Sequence, residues 1–285
     1  MNNPPKITIG LPVYNGGQYL HDAIDSLLNQ SIIGIDLLIS DNGSTDATES
    51  ICRSYAERDK RIRYVRQVSN LGAIGNFDYV FQHRAAPFFM WAAHDDTWGG
   101  NFIKDGIEAI ERGNSCFAFP TFRLVNIKEK KSTYREAELF EFMSHESADY
   151  RILNYLNLHT LSYHGNIIYS IFREATLKLL LRETHINSET LFGSFLLKKG
   201  KGSLIPNYQF SKRYYGRWPG DSNYLENLIR RLKRRHHDKF YEIKADEHAI
   251  LRIKFPHLVD KIDEIYDAIH PNRKAHNDYK YVNFP

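Results

Sequence analysis

Residues 88–98 read FFMWAAHDDTW. Six residues of buried character run into a histidine and two adjacent carboxylates, and a tryptophan closes the stretch. An apolar run this short, with no alternation, fits a parallel strand covered on both faces, whereas a strand with one wet face alternates. A strand over 88–93 would deliver His94, Asp95 and Asp96 side by side, where like charges repel. Taken alone this is a polar loop at a strand end. The segments before it decide what else it is.

Those segments alternate strand and helix patterns. KITIGLPV (6–13) is β-rich and stops at the turn signal Tyr14-Asn15-Gly16-Gly17. QYLHDAIDSLLNQ (18–30) puts Leu20, Ala23, Ile24, Leu27 and Leu28 on one helical face. IDLLISD (35–41) reads as a second strand, and the loop DNGSTD follows it, with Ser44 placed to cap a helix over 45–58. IRYVRQ (62–67) reads as a third strand and NFDYVFQHR (76–84) as a helix. This βαβαβαβ order implies right-handed crossovers and a Rossmann-like, mostly parallel α/β sheet. Ligands bind such sheets at the carboxyl ends of the strands. Three unusual clusters fall at those ends: residues 12–17, 41–46 and 94–98. Their convergence, more than any single motif, points to a ligand site.

Composition narrows the class. The chain has 285 residues, 42% hydrophobic and 25% charged, which suits a soluble globular protein with a sizeable core. The start, MNNPPKITIG, lacks a charged region followed by an apolar one, so no secretory signal is expected. No apolar run reaches the length of a membrane span. The two cysteines, Cys52 and Cys116, have no metal spacing, which favours a reduced, cytoplasmic setting. The 18 Tyr and 17 Phe suit a core, and equally a cleft that stacks flat rings. Net charge is +4, but LIRRLKRRHHDKF (228–240) carries six Arg/Lys against one Asp. A solvated helix face and a peripheral contact with an anionic membrane surface are both open for it. Nucleic acid is not an expected partner, because no recognition motif accompanies the charge.

After residue 99 the rhythm changes. A helix near 101–112 precedes SCFAFPTFRLVNI (115–127), one or two strands broken at Pro120, and KEKKSTYRE (128–136) reads as an exposed loop. Helices follow near 148–157 and 173–183, with strand-like NIIYSIF (166–172) between them, and a buried helix over 191–200. Beyond Pro219-Gly220 the pattern is helical to about residue 270. The domain reading is a main domain over 1–218, with halves at 1–98 and 99–218, and a helical C-terminal extension over 219–285.

The clusters carry specific chemistry. Asp41, at the end of the second strand, can accept a hydrogen bond from a pyrimidine ring N–H, and Tyr14 can stack on that base. The same loop is equally a good turn and helix cap. Asp95 and Asp96 offer hard oxygen ligands, which Mg²⁺ and Mn²⁺ prefer. A divalent cation beside them would relieve their mutual repulsion and neutralise charge on a departing diphosphate.

ITIGLPVYNGGQYL, LLISDNGSTD, NLGAIGNFDYVF and WAAHDDTW, in this order over residues 7–100, resemble the family 2 inverting glycosyltransferases, whose fold is GT-A. The resemblance implies that Pro12, Tyr14, Asn15 and Asp41 line a nucleotide pocket and that Asn70 and Gly72 lie along the donor cleft. Asp95 matches the metal-binding final carboxylate of the family's DxD motif, and Asp96 the acidic residue after it. Many members read Asp-x-Asp-Asp here; this chain reads Ala93-His94-Asp95-Asp96, so the first carboxylate is absent. His94 then either supplies a nitrogen to the diphosphate or metal, or is a strand-end residue with a local hydrogen bond. Asp41-Asn42 replaces the commoner Asp-Asp, which keeps the base contact and leaves the ribose contact open.

An inverting transfer needs a base within reach of the attacking hydroxyl. The family draws it from a carboxylate opening a later helix, and the matching stretch HINSETLFGSFLLKKG (185–200) offers Glu189. Glu189 is also suited to a helix N-terminus by charge alone. IPNYQFSKRYYG (205–216) resembles the family's strand and basic segment, with Arg213 or Lys212 facing the diphosphate. The resemblance thus implies a Mn²⁺- or Mg²⁺-dependent transferase that moves a sugar from a nucleotide-diphosphate donor, UDP- or dTDP-linked by the Asp41 argument. Its acceptor hydroxyl would belong to a bacterial surface glycan or lipid-linked glycan, at the inner face of the membrane. The alternative is a degenerate member that binds nucleotide or glycan without turnover.

Overall fold

The computed structural model describes residues 4–127, 131–134, 137–157, 165–184, 188–214 and 247–269. The basic segment 228–240 and the domain boundary expected at 218 lie outside the described residues.

Four parallel strands form one side of the sheet: β1 (Ile7–Val13), β2 (Ile35–Asp41), β3 (Ile62–Arg66) and β4 (Phe88–Trp91). Their spatial order is β3-β2-β1-β4. Between them run α1 (Leu20–Leu28), α2 (Thr48–Arg58) and α3 (Gly72–Gln82). The helical period read from the sequence is the packing face: α1 buries Leu20, Ala23, Ile24 and Leu27. Each Leu or Ile so buried contributes about 1.5–3 kcal/mol. Strands β1, β2 and β4 are buried at every position. One of those positions is the carboxylate Asp36, which accepts from Thr8 Oγ1 at 2.9 Å and from Arg63 Nε and Nη2 at 2.7 Å each. A buried charge without partners is strongly destabilising. Thr8 on β1 and Arg63 on β3 therefore make Asp36 tolerable and tie three strands in one register.

The chain runs from β1 outward through β2 to β3, then returns to set β4 on the other flank of β1. Crossovers diverge at that point, so the carboxyl ends of β1 and β4 open a crevice. Beyond β4 the sheet continues through β8 (Ile171–Arg173), β6 (Phe117–Asn126), β9 (Gly202–Tyr214) and β5 (Thr97–Trp98), with β7 (Lys131–Tyr134) paired to β6. Strands β6 and β9 are parallel, while β8, β7 and β5 pair antiparallel with their neighbours. The result is a mixed α/β fold on a mostly parallel central sheet. Helices α4 (Phe102–Arg112), α5 (Ala148–Leu156), α6 (Glu174–Leu180) and α7 (Glu189–Lys199) pack on this second half. A helical turn over 247–254 (α8) and α9 (Val259–Ile269) follow.

Several local expectations change. The helix expected from residue 45 starts at Thr48, and Ser44 does not cap it, because its Oγ accepts the Asn15 N–H at 2.9 Å instead. Helix α3 begins at Gly72 rather than 76. NIIYSIF is a 3-10 helix over Gly165–Tyr169 followed by the short strand β8. Part of the charged loop 128–136 is strand β7. Strand β8 covers only Phe117 and Ala118 of β6, and β7 satisfies the backbone of residues 123–126 on β6. Pro120 does not end β6. The register shifts there, from Pro120 opposite Ile205 to Phe122 opposite Phe210, around a bulge in β9. Thr121 Oγ1 spans that bulge, donating to Ile205 O at 2.7 Å and accepting from Tyr208 N at 3.0 Å.

Candidate active site

Three loops meet at the carboxyl ends of β1 and β2. Asn15 takes a left-handed φ of 51°, which Asn tolerates better than most residues. Its side-chain oxygen accepts from Thr45 N at 2.8 Å, while the amides of Gly16 and Gly17 donate to Thr48 Oγ1 (2.9 Å) and Asp46 Oδ2 (3.0 Å). Asn42 reaches the other way: its Nδ2 donates to Asn70 Oδ1 (2.9 Å) and Gly72 O (3.1 Å), and its Oδ1 accepts from Leu71 N (2.8 Å). Asn15, Asn70 and Gly72, expected along the donor cleft, are thus also the residues that hold the cleft's loops together. Asn42, weighed in the sequence only as a replacement for the commoner Asp at the ribose contact, is the clamp. Amide side chains bridge loops through both ends.

Asp41 is fully buried. It accepts from Ser44 N (2.8 Å), Tyr64 Oη (2.9 Å) and Arg66 Nη1 (2.9 Å). Burial alone would raise its carboxyl, but these donors outweigh burial and hold it below the usual carboxylate range. Three donors occupy three of about four lone-pair sites, so one further donor fits if Arg66 or Tyr64 turns aside. Tyr14, just past β1, is 46% exposed, and Pro12 lies buried within β1 opposite Ser40.

The β4–β5 turn carries the second cluster. The His94 ring lies on Gly16: a Cβ there would sit 2.6 Å from its Cδ2, so only glycine admits this approach. That brings the ends of β1 and β4 together. Asp96 turns inward and is buried, accepting the Arg213 N–H of β9 at 2.8 Å. Burial pushes its carboxyl up to about 7, against the pull of Lys212, and Asp95 adds to the rise. Arg213 donates to the Asp95 carbonyl (3.0 Å) and the Asp22 carboxylate (2.5 Å), with its guanidinium 4.7 Å from the Tyr19 ring centre. Arg213 therefore clamps the turn between α1 and β9. Lys212 donates to Asn166 Oδ1 (2.8 Å) over the Tyr169 ring.

The carboxylate of Asp95 is different. Arg213 takes its backbone oxygen, and among the described residues no hydrogen bond or ion pair engages its side chain. Mg²⁺ is commonly held by one or two carboxylates, with waters and substrate phosphates completing the shell. Asp95 fits that arrangement, and Asp96, committed to β9, fits it less well. Among the described residues no group of three or more His, Cys, Asp or Glu side chains forms a ready-made cage. The donor set thus suits a cation shared with substrate oxygens.

Glu189 opens α7, with its side chain at the surface while Ser188, Thr190 and Leu191 around it are buried. Ser188 Oγ caps the helix by accepting from Leu191 N at 3.1 Å. Tyr169 lies on the 3-10 turn before β8, its ring beside Phe210 and under the Lys212 ammonium of β9. Its phenol is raised well above its ordinary range, first by burial and then by the charges of Asp96, Asp95 and Glu189. Carboxylates from two distant parts of the chain therefore bear on one hydroxyl. Tyr169 had no motif to mark it, only its place in an apolar run.

A GT-A-type α/β architecture, with acidic residues at the carboxyl ends of its parallel strands, is the class that this fold and site define. The S. aureus protein TarS (residues 1–349, crystallised with UDP-GlcNAc) has the same fold. Its TM-score is 0.58 at 18% identity, over 74% of this chain and 59% of that one. The model of glycosyl transferase family 2 matches residues 8–179, and the chain belongs to that family. Glycosyltransferase GlyA of Streptococcus pneumoniae serotype 4 is 42% identical over 99 residues, 35% of this chain and 14% of GlyA. TuaG of Bacillus subtilis (strain 168), a provisional teichuronic acid biosynthesis glycosyltransferase, is 27% identical over 124 residues, 44% of this chain and 49% of TuaG. The matched stretch spans less than half the length of these two relatives.

Proposed function

We propose that the protein is an inverting glycosyltransferase that moves a sugar from a UDP- or dTDP-sugar to an acceptor hydroxyl. The observation that carries this reading is the Asp95 carboxylate at the carboxyl end of β4, its backbone held by Arg213 and its side chain engaged by no hydrogen bond or ion pair among the described residues. Displacement with inversion separates two tasks: managing the departing diphosphate and taking the proton of the attacking hydroxyl. Asp95 serves the first and Glu189 the second. Mn²⁺ or Mg²⁺, when bound, supplies positive charge to the leaving diphosphate, and Asp95 is the residue that would hold it. Arg213 and Asp96 keep the β4–β5 turn in shape. Tyr14 stacks on the base, and His94, packed on Gly16, borders the diphosphate.

The UDP-GlcNAc bound to TarS supports a nucleotide-sugar donor. The name of TuaG supports an acceptor among bacterial surface glycans, here a glycan or lipid-linked glycan. Among the described residues no helix is long and apolar enough to cross a membrane. The proposed setting is the cytoplasmic side of the membrane, with segment 228–240 drawn to anionic lipid. Binding to liposomes that ignored anionic lipid content would remove that last element.

One observation favours a second reading. Ala93 stands where the family's first motif carboxylate is common, and a weakened metal site suits a protein that binds without turnover. A thermal-shift screen of UDP-, dTDP- and GDP-sugars with and without Mn²⁺ tests both. Ligand at 100 times its Kd stabilises the native state by about 2.7 kcal/mol. The proposal expects a UDP- or dTDP-sugar to stabilise the protein more with Mn²⁺ than without, and to be consumed. Stabilisation without consumption, with any acceptor glycan supplied, selects the binding protein. No response to any nucleotide sugar removes both.

A further inference from the structure

We propose that Glu247, from the C-terminal helical segment, is a positioning residue for Glu189. This rests on the reading of Glu189 as the acceptor-side base. The two residues are far apart in sequence, yet Glu247 Oε1 accepts a hydrogen bond from Ser188 Oγ at 2.7 Å, and both partners are buried. Ser188 is the N-cap of α7 and immediately precedes Glu189. A serine hydroxyl has one hydrogen to donate. By taking it, Glu247 fixes the rotation of the hydroxyl so that a lone pair faces the Leu191 N–H that the cap must satisfy.

The backbone just after Glu189 is held too. Tyr155 Oη donates to the carbonyl of Glu189 at 2.8 Å. Its ring lies so close to Gly193 that a Cβ there would fall 2.1 Å from Cζ. Tyr155 is buried, and its phenol is raised well above the ordinary range by burial and then by Glu189 and Glu247, so it stays a donor. Glu189 thus projects from backbone held on one side by the capping Ser188 and on the other by the Tyr155 hydrogen bond.

Glu247 is itself anchored. Phe255 packs edge-on against Phe195 of α7 at 5.8 Å. His248 Nε2 meets Asp263 Oδ1 of α9 at 2.7 Å and stacks on Tyr266. His257 reaches Asp149 of α5 at 3.0 Å. The C-terminal segment therefore reaches the site by contact with the cap of its acceptor-side helix.

The test uses the full chain with Glu247→Ala, Glu247→Gln and Ser188→Ala. Two readouts are taken: amide hydrogen exchange in the first turn of α7, and release of UDP or dTDP from a panel of their sugars with Mn²⁺. Turnover is counted per UDP-binding site, so that a poorly folded fraction does not lower it. Glu247→Ala should speed exchange at Thr190 and Leu191 about tenfold, the scale of one lost buried hydrogen bond. It should lower kcat by about tenfold or more at unchanged donor KM, as expected when a base is displaced but donor contacts are not. Glu247→Gln keeps an acceptor oxygen for Ser188 and should recover most of both. Ser188→Ala should reproduce the loss, and adding Glu247→Ala to it should do little more. It also decides the matter if Glu247→Ala does not fold. Wild-type exchange or wild-type kcat in Ser188→Ala overturns the inference while leaving the donor reading intact. A wild-type protein that turns over no sugar in the panel overturns the donor reading, and the catalytic role of Glu247 falls with it, whatever the exchange result.

Discussion

The two halves of the sheet treat their polar residues in opposite ways. At the ends of β1 and β2, Asn15, Asp41, Asn42, Ser44, Asp46 and Asn70 all bond to one another's loops, and Asp41 is enclosed by three donors. Beyond β4, the backbones of Asp95 and Glu189 are held by Arg213 and Tyr155, with Asp95 half-buried and Glu189 at the surface. The first region uses side chains to build a shape; the second uses backbone contacts to aim side chains. A charge enclosed by donors is stabilised but occupied, whereas the Asp95 carboxylate, held through its backbone oxygen, is engaged by no hydrogen bond or ion pair among the described residues. The difference predicts that variants in the second region lose kcat and keep stability, and that variants in the first lose stability and keep kcat per folded molecule.

The sharpest break would come at Glu189. Glu189→Gln should lower kcat by about 10²–10⁴-fold, the range for losing a general base, with the thermal midpoint nearly unchanged. Full transfer activity in this variant would end the base assignment. Asp95→Ala comes next. Nucleotide-sugar turnover should fall at least about 10²-fold, as it does when one stabilising group is removed from a developing charge. Titration of Mn²⁺ in the presence of UDP should show weaker metal binding, and unchanged titration would place the metal elsewhere.

In the first region the readout turns to stability. Asn42→Ala removes the clamp on Asn70, Leu71 and Gly72, and leaves buried polar groups unpaired, at about 1–3 kcal/mol each. Denaturant unfolding should show a lower midpoint, with kcat per folded molecule largely kept. Gly16→Ala must displace the His94 ring, and overpacking of this kind destabilises by about 1–3 kcal/mol. It also tests the border between the regions, because His94 stands on both. The smallest effect concerns Asp41. Its folded-state carboxyl is held low by Ser44, Tyr64 and Arg66 against the opposing effect of burial. The stability it contributes is therefore complete above the unfolded value near 4 and is lost as pH falls through the folded value. The stability gap between wild type and Asp41→Asn should be constant near neutrality and close under acid, in unfolding curves taken at stepped pH.

Much of the first region was legible. The apolar runs of β1, β2 and β4, the α1 face and the acidic turn after β4 follow from period and burial, which depend on neighbours a few residues away. Legibility failed where a side chain had two plausible partners. Ser44 reads as a helix cap, yet it bonds Asn15, because the β1 loop brings a closer donor. NIIYSIF reads as a strand because apolar runs look alike whether a strand or a 3-10 turn buries them. Lys131–Tyr134 reads as loop, but the free edge of β6 recruits it. The family resemblance separates Asp95, as metal ligand, from Asp96, but no local signal shows where either side chain goes. The approach of β9 supplies that, turning Asp96 into the sheet.

By itself, the sequence determined the order of strands and helices from β1 to β4, the family, and the end of the sheet where chemistry belongs, because these depend on period and on the succession of motifs. The tertiary structure decided which of those polar residues are already spent and which are available. It also joined residues remote in sequence, Asp96 with Arg213 and Ser188 with Glu247. Hydrogen bonds and charge interactions act over a few ångströms of space, and only the folded chain sets which residues fall within that reach.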